Sequence, residues 1–579
     1  MSDYKNILKF LFLFREPEKK EEFILKEKGS EKSGKEKKSD KKRNGFLEGF
    51  INKPDTTDEN KKNKDSHETK LISKKLSDNI DYLKKAYSIP KNGDIVLREF
   101  DIVAKDKTIP ASIIFYDGMT DRNIIDLAIL QPLMLLSNLE VKGKEDQLSE
   151  YISKHLLVHN QTKITQKMSK VIDEINFGGC GVFIDGIDVA FACDVKGWEH
   201  RGVDRPEIES VVRGPQEGFT ETLRVNTALV RKILKDEDLI VEDVSVGKRS
   251  KTPCSLLYIK DIVNDSLVEE VRKRLKSIKI DYIFDTGELE QYLEDNPFMT
   301  TPQIIATERP DRVAAVLTEG KVAVIMSGSP FALVMPTTNF DLLQSPEDTY
   351  IRFPYVNLIR IVRMMAMFVS LFLPGLYVAI TNFHHEMIPT DLLLAIEASR
   401  EKVPFPSVVE ILIMEFSFEL ILEAGIRRPG PLGPTLGIIG ALILGQAAVA
   451  ANIVSPILII IVAVTGIGSF AIPNFGLGLS YRLLRFIFIF LASMAGFLGI
   501  TFGLFIYGVW SCSVKSFGVP FMTPVGPKTS SNFLVQFMRS PIWKQEKRHD
   551  YLNVKDANKQ SKISRQWSFD NKNKKKNKQ

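Results

Sequence analysis

Three glutamates spaced four residues apart lie in an apolar stretch of this 579-residue sequence. The segment PFPSVVEILIMEFSFELILEAGIRRPG predicts a helix over 408–424, which carries Glu415, Glu419 and Glu423 along one side. Because like charges at this spacing repel, we expect the stripe to face water, a cation or a partner's basic residues. Carboxylates at depth in a bilayer are rare unless they line a watery path. We therefore favour an amphipathic interfacial or re-entrant helix, with cation passage as the functional alternative.

Two amides lie within a second unusual stretch, residues 429–481, which contains no Asp, Glu, Lys or Arg. Gln446 lies within a predicted helix, and Asn452 lies at the turn that follows it. An amide surrounded by lipid must find a hydrogen-bonding partner. Each amide therefore either bonds to a neighbouring helix or faces a water-filled lumen, and the sequence leaves both alternatives open.

Patterns typical of catalysis are absent from the sequence. It has no phosphate-binding glycine loop ending in Lys, no pair of histidines spaced as zinc ligands and no nucleophile elbow. The four cysteines are far apart and form no CxxC pair. We expect no enzyme activity, no cofactor and no metal site.

The elements that must position these polar residues are membrane-spanning helices. A bilayer core of about 30 Å is crossed by about 20 helical residues, so apolar runs predict an all-α membrane domain over 350–520. Its four spans are expected at about 358–380, 433–453, 455–473 and 486–510, with 408–424 as a fifth if that helix crosses. Arginines precede the first span and place the preceding domain in the cytoplasm, by the positive-inside rule.

Small residues recur every three or four positions within two of the predicted spans. Such faces let helices approach closely, so they predict helix packing or subunit contact. One face consists of Gly433, Gly437, Ala441 and Gly445, and the other of Ala492, Gly496, Gly499 and Gly503.

Before the membrane domain, alternating strand patterns and helical periodicity predict a cytoplasmic α/β region. We divide it into two sub-domains with mixed sheets, 79–215 and 216–345. Lysine-rich tails, 1–78 and 521–579, lack the apolar residues needed to order them, so they are expected to be disordered. Contact with anionic lipid suits these tails better than nucleic acid, which we do not expect as a partner.

An ordered series of blocks resembles the A subunit of spore germinant receptors, the GerA family. The blocks lie between about 80 and 530 and include VVRGPQEGFTETLRVNTALVRKIL, TERPDRVAAVLTEGKVAVIMSGSPFALVMP, GQAAVAANIVSPILIIIVAV and SFGVPFMTP. Within the first block, the RGPQEG loop is expected to form a domain or subunit contact rather than an anion site. Its candidate residues are Arg213, Gly214, Pro215, Glu217 and Gly218.

The resemblance implies a multi-pass protein in the inner membrane of a bacterial endospore. It implies a permease-like, nutrient-binding B subunit and a lipoprotein C subunit as partners, and a ring of A subunits that forms a nutrient-gated cation channel. The candidate pore or gate residues are Gln446, Asn452, Glu415, Glu419 and Glu423. A non-conducting scaffold and a secondary transporter are the alternative functions.

Overall fold

The computed structural model describes residues 25, 70–103, 108–135, 152, 162–197, 205–206, 208–426, 444–529 and 537–560. In these residues, two five-stranded sheets are followed by a bundle of long apolar helices and by a C-terminal arm. The prediction of an α/β region before a helical region is confirmed.

Sub-domain 1 is built on a sheet with the strand order β1-β2-β4-β5-β3. Neighbouring residues such as Ile113 and Ile114 belong to different apolar clusters, because side chains alternate across a sheet, and helices cover both faces. The strands are β1 (Ile95–Val103), β2 (Thr108–Tyr116), β3 (Thr162–Thr165), β4 (Cys180–Ile184) and β5 (Ala190–Cys193). The helices are α1 (Leu76–Ala86), α2 (the successive turns Arg122–Ile124, Ile125–Leu130 and Gln131–Leu135) and α3 (Met168–Asn176).

Sub-domain 2 has a second sheet, with the order β6-β7-β9-β10-β8. Its core is continuous with that of the helical bundle. The strands are β6 (Leu239–Val246), β7 (Thr252–Ile259), β8 (Ile305–Thr307), β9 (Val322–Met326) and β10 (Ala332–Met335). The helices are α4 (Leu223–Ile233), α5 (Asp265–Ser277), α6 (Thr286–Leu293), α7 (Pro310–Thr318), α8 (Asn339–Leu342) and α9 (Glu347–Tyr350).

Both sheets are antiparallel in every described strand pair, so the prediction of mixed sheets is wrong. The reason is that β1–β2, β4–β5, β6–β7 and β9–β10 are joined by short connections, which link antiparallel neighbours. The segment 281–287, whose apolar pattern predicts a strand, forms none: residues 281–285 are irregular, and Thr286 begins α6. Its Asp281 carbonyl instead accepts the N–H groups of Arg249 and Ser250 in the β6–β7 turn.

A buried arginine joins the two sub-domains. Arg231 of α4 donates to both carboxylate oxygens of Asp94, at 2.5 and 2.8 Å, and to the Asn92 amide oxygen at 3.0 Å. Both members of this ion pair are almost completely buried. Breaking a buried ion pair would leave a charge buried without its partner, which is costly. This contact therefore fixes the relative position of the sub-domains.

The structure differs from the predicted domain boundaries at two places. Residue 78 lies inside α1, and the loop 208–219, predicted to belong largely to sub-domain 1, packs against sub-domain 2. Leu25 of the N-terminal tail is buried in the sub-domain 2 core, whereas most of the predicted tail 1–78 lies outside the described residues.

The helical bundle begins at α10 (Phe353–Phe383), whose start adjoins sub-domain 2. The remaining helices are α11 (Thr390–Arg400), α12 (Ser407–Ile426), α13 (residues 444–450), α14 (Pro456–Phe470) and α15 (Phe475–Ser513). Two of the described helices, α10 and α15, are long and apolar enough to cross a membrane.

The segment α15 is a hairpin of two helical arms. Ala495 and Gly496 leave the helical region, with Gly496 at φ 58° and ψ −135°. A Cβ placed on Gly503 would lie 2.6 Å from Leu491 and 3.0 Å from Phe488, contacts that a continuous helix forbids. We call 475–494 α15a and 497–513 α15b. The predicted single span 486–510 is therefore wrong, because it contains this turn.

Both arms of the hairpin end beside sub-domain 2. Near the start of α15a, the Ser480 hydroxyl donates to the Thr300 carbonyl, and near the end of α15b Tyr507 hydrogen-bonds Thr301 at 3.0 Å. The turn at Gly496 instead lies against Phe383 at the other end of α10. The hairpin therefore runs the length of the bundle twice.

The C-terminal arm, residues 537–560, is folded against sub-domain 2. Leu552 and Val554 join its apolar core, and Lys555 pairs with Asp265 at 2.6 Å. The prediction that 521–579 is a disordered tail is therefore wrong for 521–529 and 537–560, because apolar residues within this basic segment find a buried surface. Residues 530–536 and 561–579 lie outside the described part.

Candidate functional site: the polar contacts of the helical bundle

The acidic stripe of α12 faces arginines of α15a. Glu415 accepts a hydrogen bond from Arg485, and both side chains are completely buried. One turn along the helix, Glu419 lies 3.0 Å from Arg482. Since the two helices run antiparallel, consecutive turns bring consecutive opposite charges together. Of the alternatives left open by the sequence, pairing with basic residues is the one observed, and the basic residues belong to the same chain.

The side of α12 that carries Glu415 faces into the bundle, together with the apolar residues Ile411 and Met414. Phe416 and Leu420 face outward and are 60% and 56% exposed. An amphipathic helix at an interface has its charges in water. The interfacial alternative therefore does not fit, because Glu415 pairs with Arg485 inside the bundle, and the re-entrant alternative stays a prediction. Glu423, near the end of the helix, is exposed.

A further glutamate joins three helices at the opposite end of the bundle. Glu410 is fully buried, lies 3.4 Å from Arg400 of α11, and accepts the backbone N–H of Ser455, the residue that precedes α14. Ser407, at the start of α12, does not form a local capping box with Glu410, because the Ser407 hydroxyl donates to the Asn382 amide oxygen at 2.7 Å. The carboxylate of Glu410 instead makes contacts between helices.

The two amides are exposed on the surface of the chain. Gln446 points away from the bundle on α13, while Gly445 packs against Ile459 of α14, with 3.5 Å to a Cβ placed on the glycine. Asn452 is exposed in the turn after α13 and adopts φ 53°. Neither amide has a hydrogen bond from its side chain recorded with another described residue. The structure therefore does not bring the amides together with the glutamates.

The small residues that the structure describes are packed between helices or form a turn. Gly499 and Gly503 lie against α15a, Gly496 forms the hairpin turn, and Ala492 is buried beside Gly375 of α10. These contacts are within one chain. Gly433, Gly437 and Ala441 lie outside the described residues.

An aspartate connects the soluble region to the first helix of the bundle. Asp348 of α9 binds Arg360 at 3.0 Å and Arg363 at 2.7 Å, both on α10. Arg539 of the C-terminal arm donates to backbone carbonyls in the same turn, including that of Ile351 at 3.1 Å. The arginines that flank the predicted first span are thus held by protein groups, which fixes the direction in which α10 leaves sub-domain 2.

The RGPQEG loop is attached to this junction. Arg309 of the TERPD segment is buried and donates to the carbonyl of Pro215 at 2.7 Å, and Asp311 accepts from the Tyr350 hydroxyl. Gly214 adopts φ 137°, and a Cβ there would lie 2.6 Å from the Tyr350 ring.

The other loop residues face in different directions. Glu217 pairs with Lys232 at 2.6 Å, Gly218 is buried and Arg213 is exposed. The loop thus makes a contact within the soluble region, and its arginine remains on the surface.

Glu290 of α6 and Glu294, which directly follows this helix, have raised pKa values. Burial, together with the neighbouring charge of Glu294, raises the pKa of Glu290 to about 8. Burial also raises the pKa of Glu294 to about 7, although the N–H of Gln303 opposes the shift. Gln303 also forms two hydrogen bonds with Asn296. The two glutamates therefore lie near the contact between sub-domain 2 and the α15 hairpin.

The arrangement can hold helices together and transmit movement, and its chemistry is that of ion pairs. Among the described residues, no group of three or more His, Cys, Asp and Glu side chains could hold a metal ion. Sequence reasoning missed Arg482, Arg485 and Asp348 as functional partners. The sequence does contain an indication of the arginine–glutamate contacts. Two glutamates four residues apart and two arginines three residues apart lie in otherwise apolar helices, so their charges could cancel.

Comparison with known proteins covers most of the chain. Residues 81–551 match the sequence profile described as "Bacillus/Clostridium GerA spore germination protein". Spore germination protein KA of Bacillus subtilis (strain 168) is 40% identical over 495 residues, which cover 86% of this chain and 90% of that protein. Spore germination protein GerLA of Bacillus cereus is 35% identical, with 80% and 93% covered.

One relative is described by its location, and one solved structure is similar in sequence. The uncharacterized membrane protein YfkQ of Bacillus subtilis (strain 168) is 37% identical, with 86% of this chain and 95% of that protein covered. The N-terminal domain of the A subunit of the Bacillus megaterium spore germinant receptor GerK3 is 29% identical, with a TM-score of 0.35 over 46% of this chain and 96% of that one. From the profile match and the relatives, the chain belongs to the GerA family of spore germination proteins.

Proposed function

We propose that this chain is the multi-pass A subunit of a nutrient germinant receptor in the inner membrane of the endospore. It would assemble into a ring that conducts cations when nutrient is bound, together with a permease-like B subunit and a lipoprotein C subunit. Family membership supports the role in germination. The channel rests on the surface position of Gln446.

Gln446 carries the channel proposal because it is an amide on an otherwise apolar surface. The segment LGQAAVA, 444–450, has no other polar side chain, and its packed face is occupied by Gly445 and Ala448. An amide facing lipid lacks a hydrogen-bonding partner, which is costly. A second copy of the chain or a water-filled lumen would satisfy it, and a ring provides both.

The directions of the helices support six passes through the membrane. Helix α10 leads away from sub-domain 2, α12 and α14 lead back, and the two arms of α15 add two passes. The span that the sequence predicts at about 433–453, of which 433–443 lie outside the described residues, is the remaining pass between α12 and α14 in this proposal. An even number returns the C-terminal arm to the side of the soluble region, where it is docked. Arg352, Arg360 and Arg363 favour the cytoplasmic side for that region.

A non-conducting scaffold is the second candidate, and the ion pairs favour it. Glu415 and Glu419, the acidic residues predicted to attract cations, are held by Arg485 and Arg482. Neutralised pairs attract a passing cation weakly. Under this alternative, the bundle assembles receptors and a partner subunit conducts.

Bilayer recordings distinguish the two candidates. The chain is reconstituted with its B and C partners, and current is measured before and after nutrients for the wild type and for Gln446→Leu. We expect a nutrient-dependent cation current whose conductance or selectivity changes in Gln446→Leu. Ser417→Ala, which removes a hydroxyl bonded within its own helix, is the matched control. Assembled complexes that pass no current would contradict the channel and favour the scaffold.

A further inference from the structure

The C-terminal arm places an exposed aromatic residue beside the start of the first bundle helix. Residues Ile542–Lys544 form a single helical turn, in which Ile542 is 56% and Trp543 40% exposed. The Trp543 ring meets the ring of Phe353, the first residue of α10, edge to face with centroids 6.1 Å apart. Two large apolar side chains are thus presented at the level where the bundle begins.

The position of this turn is fixed by hydrogen bonds rather than by chain proximity. The Arg539 backbone N–H donates to the Asn357 side chain of α10 at 2.7 Å, and its guanidinium binds carbonyls of the turn before α10. The Phe537 ring packs edge to face on Phe340 of α8. The segment before Ile542 is therefore attached both to α10 and to sub-domain 2.

The first bundle helix also has an exposed apolar face. It carries a row of apolar residues, spaced by three and four: Tyr355, Leu358, Val362, Met365 and Phe368. Exposed basic residues lie at the start of α10 and in the arm: Arg352 directly precedes the helix, Lys544 ends the helical turn, and Lys547 follows it. An aromatic and aliphatic tip bordered by cations, at the end of an apolar helix face, is the composition of a membrane–water interface.

We propose that Ile542–Lys544 is a lipid anchor, which inserts Ile542 and Trp543 among the headgroups of an anionic leaflet on the side of the soluble region. The lysines would contact lipid phosphates. This inference rests on the proposed placement of the bundle in a membrane. The anchor would hold the C-terminal arm, and with it the Asp348 junction, at a fixed height above the bilayer.

The anchor is tested by fluorescence quenching in the full chain. The sequence has four tryptophans, so replacing Trp198, Trp510 and Trp567 with Phe leaves Trp543 as the only one. The purified variant is reconstituted in phosphatidylglycerol-containing vesicles, with lipids brominated near the headgroup end or near the methyl end of the acyl chain. We expect loss of Trp543 fluorescence with bromine near the headgroup end, and little loss with bromine near the methyl end.

A companion variant separates failure of the anchor from failure of the membrane placement. It retains only Trp510, which is 38% exposed near the end of α15b. Quenching of Trp510 without quenching of Trp543 would overturn the anchor and leave the bundle in the membrane. Absence of quenching in both would overturn the membrane placement and the anchor with it. Protection of Trp543 that appears only on self-association would assign the patch to a second copy of the chain and overturn the lipid anchor.

A charge reversal tests the anionic headgroup. Lys544→Glu should lower the docked fraction about fivefold or more in phosphatidylglycerol vesicles, since a surface cation loses its attraction to the leaflet. Lys248→Glu, an exposed lysine in the β6–β7 turn, should leave quenching unchanged. Equal quenching in both would overturn the assignment to anionic lipid. If the tryptophan variants fold poorly, Ile542→Cys in a Cys512→Ser background accepts a polarity-sensitive dye and gives the same readout.

Discussion

Neutralising Glu415 should destabilise the helical bundle, because Glu415→Gln leaves the Arg485 guanidinium buried without its counter-charge. Both side chains are completely buried, so water cannot screen the remaining charge. Removing one partner of a buried ion pair costs about 3–5 kcal/mol. For a folding unit of about 150–250 residues, each kcal/mol corresponds to about 2–4 °C, so the unfolding midpoint should fall by about 6–20 °C.

The decisive assay is a double-mutant cycle. Thermal unfolding of the full chain in nanodiscs is measured for Glu415→Gln, Arg485→Gln and the double variant. The double variant removes both charges and should be less destabilised than the sum of the single variants, with a coupling free energy of about 1–3 kcal/mol. Glu415→Leu with Arg485→Met should recover more, because well-packed apolar residues can replace a buried pair.

An exposed glutamate supplies the control for this cycle. Glu397→Gln on α11 changes the same functional group at the surface and should shift the free energy of unfolding by no more than about 0.5 kcal/mol. If Glu415→Gln behaved like Glu397→Gln, or if the two single effects simply added, the pair would not hold α12 to α15a and our reasoning would be refuted.

Three further changes probe the soluble region and its junction. Gly214→Ala should cost about 1–3 kcal/mol in chemical denaturation, because its positive φ and the Tyr350 ring oppose a Cβ. Asp348→Asn weakens two charged hydrogen bonds and should cost about 1.5–3 kcal/mol, measured as faster hydrogen exchange at the start of α10. For Glu290, folding raises the pKa from 4.5 to about 8, so its stabilising effect is complete below pH 4.5 and is lost as pH rises through about 8. Between pH 6 and 8, Glu290→Gln should lose about 2 kcal/mol less stability than the wild type in denaturation curves, and the loss that remains should come from Glu294.

Neighbouring residues provide controls for these three variants. Gly287→Ala, where a Cβ meets open space, should be neutral, and equal loss at Gly214 and Gly287 would contradict the steric argument. Glu347→Gln should leave hydrogen exchange of α10 unchanged. Glu269→Gln, at an exposed site in α5, should retain the pH dependence, and a flat wild-type profile would contradict the raised pKa of Glu290.

Local patterns in the sequence determined the elements and the family. Alternation of apolar residues predicted β1 and β2, because burial on a sheet face repeats every two residues. The apolar stretch before His384 predicted α10, and the ordered blocks predicted the GerA family, which the comparisons confirm. The strand predicted over 281–287 does not form, although its apolar residues suit a strand, because the Asp281 carbonyl accepts N–H groups from the β6–β7 turn and Thr286 begins α6.

Tertiary structure decided which residues meet. Glu415 and Arg485 are 70 positions apart, and the sequence shows two charged residues in apolar helices without showing that they cancel. The turn at Gly496 likewise interrupts a run of uncharged residues that is long enough for one span, and only contact between the two arms reveals it. The composition of the C-terminal arm predicted disorder, because the segment is polar. A few of its apolar residues nevertheless pack into the core of sub-domain 2. The periodicity of apolar residues predicts which residues are buried, because burial follows the geometry of the local helix or strand. It does not predict the distant partner of a residue, because that partner depends on how the whole chain packs.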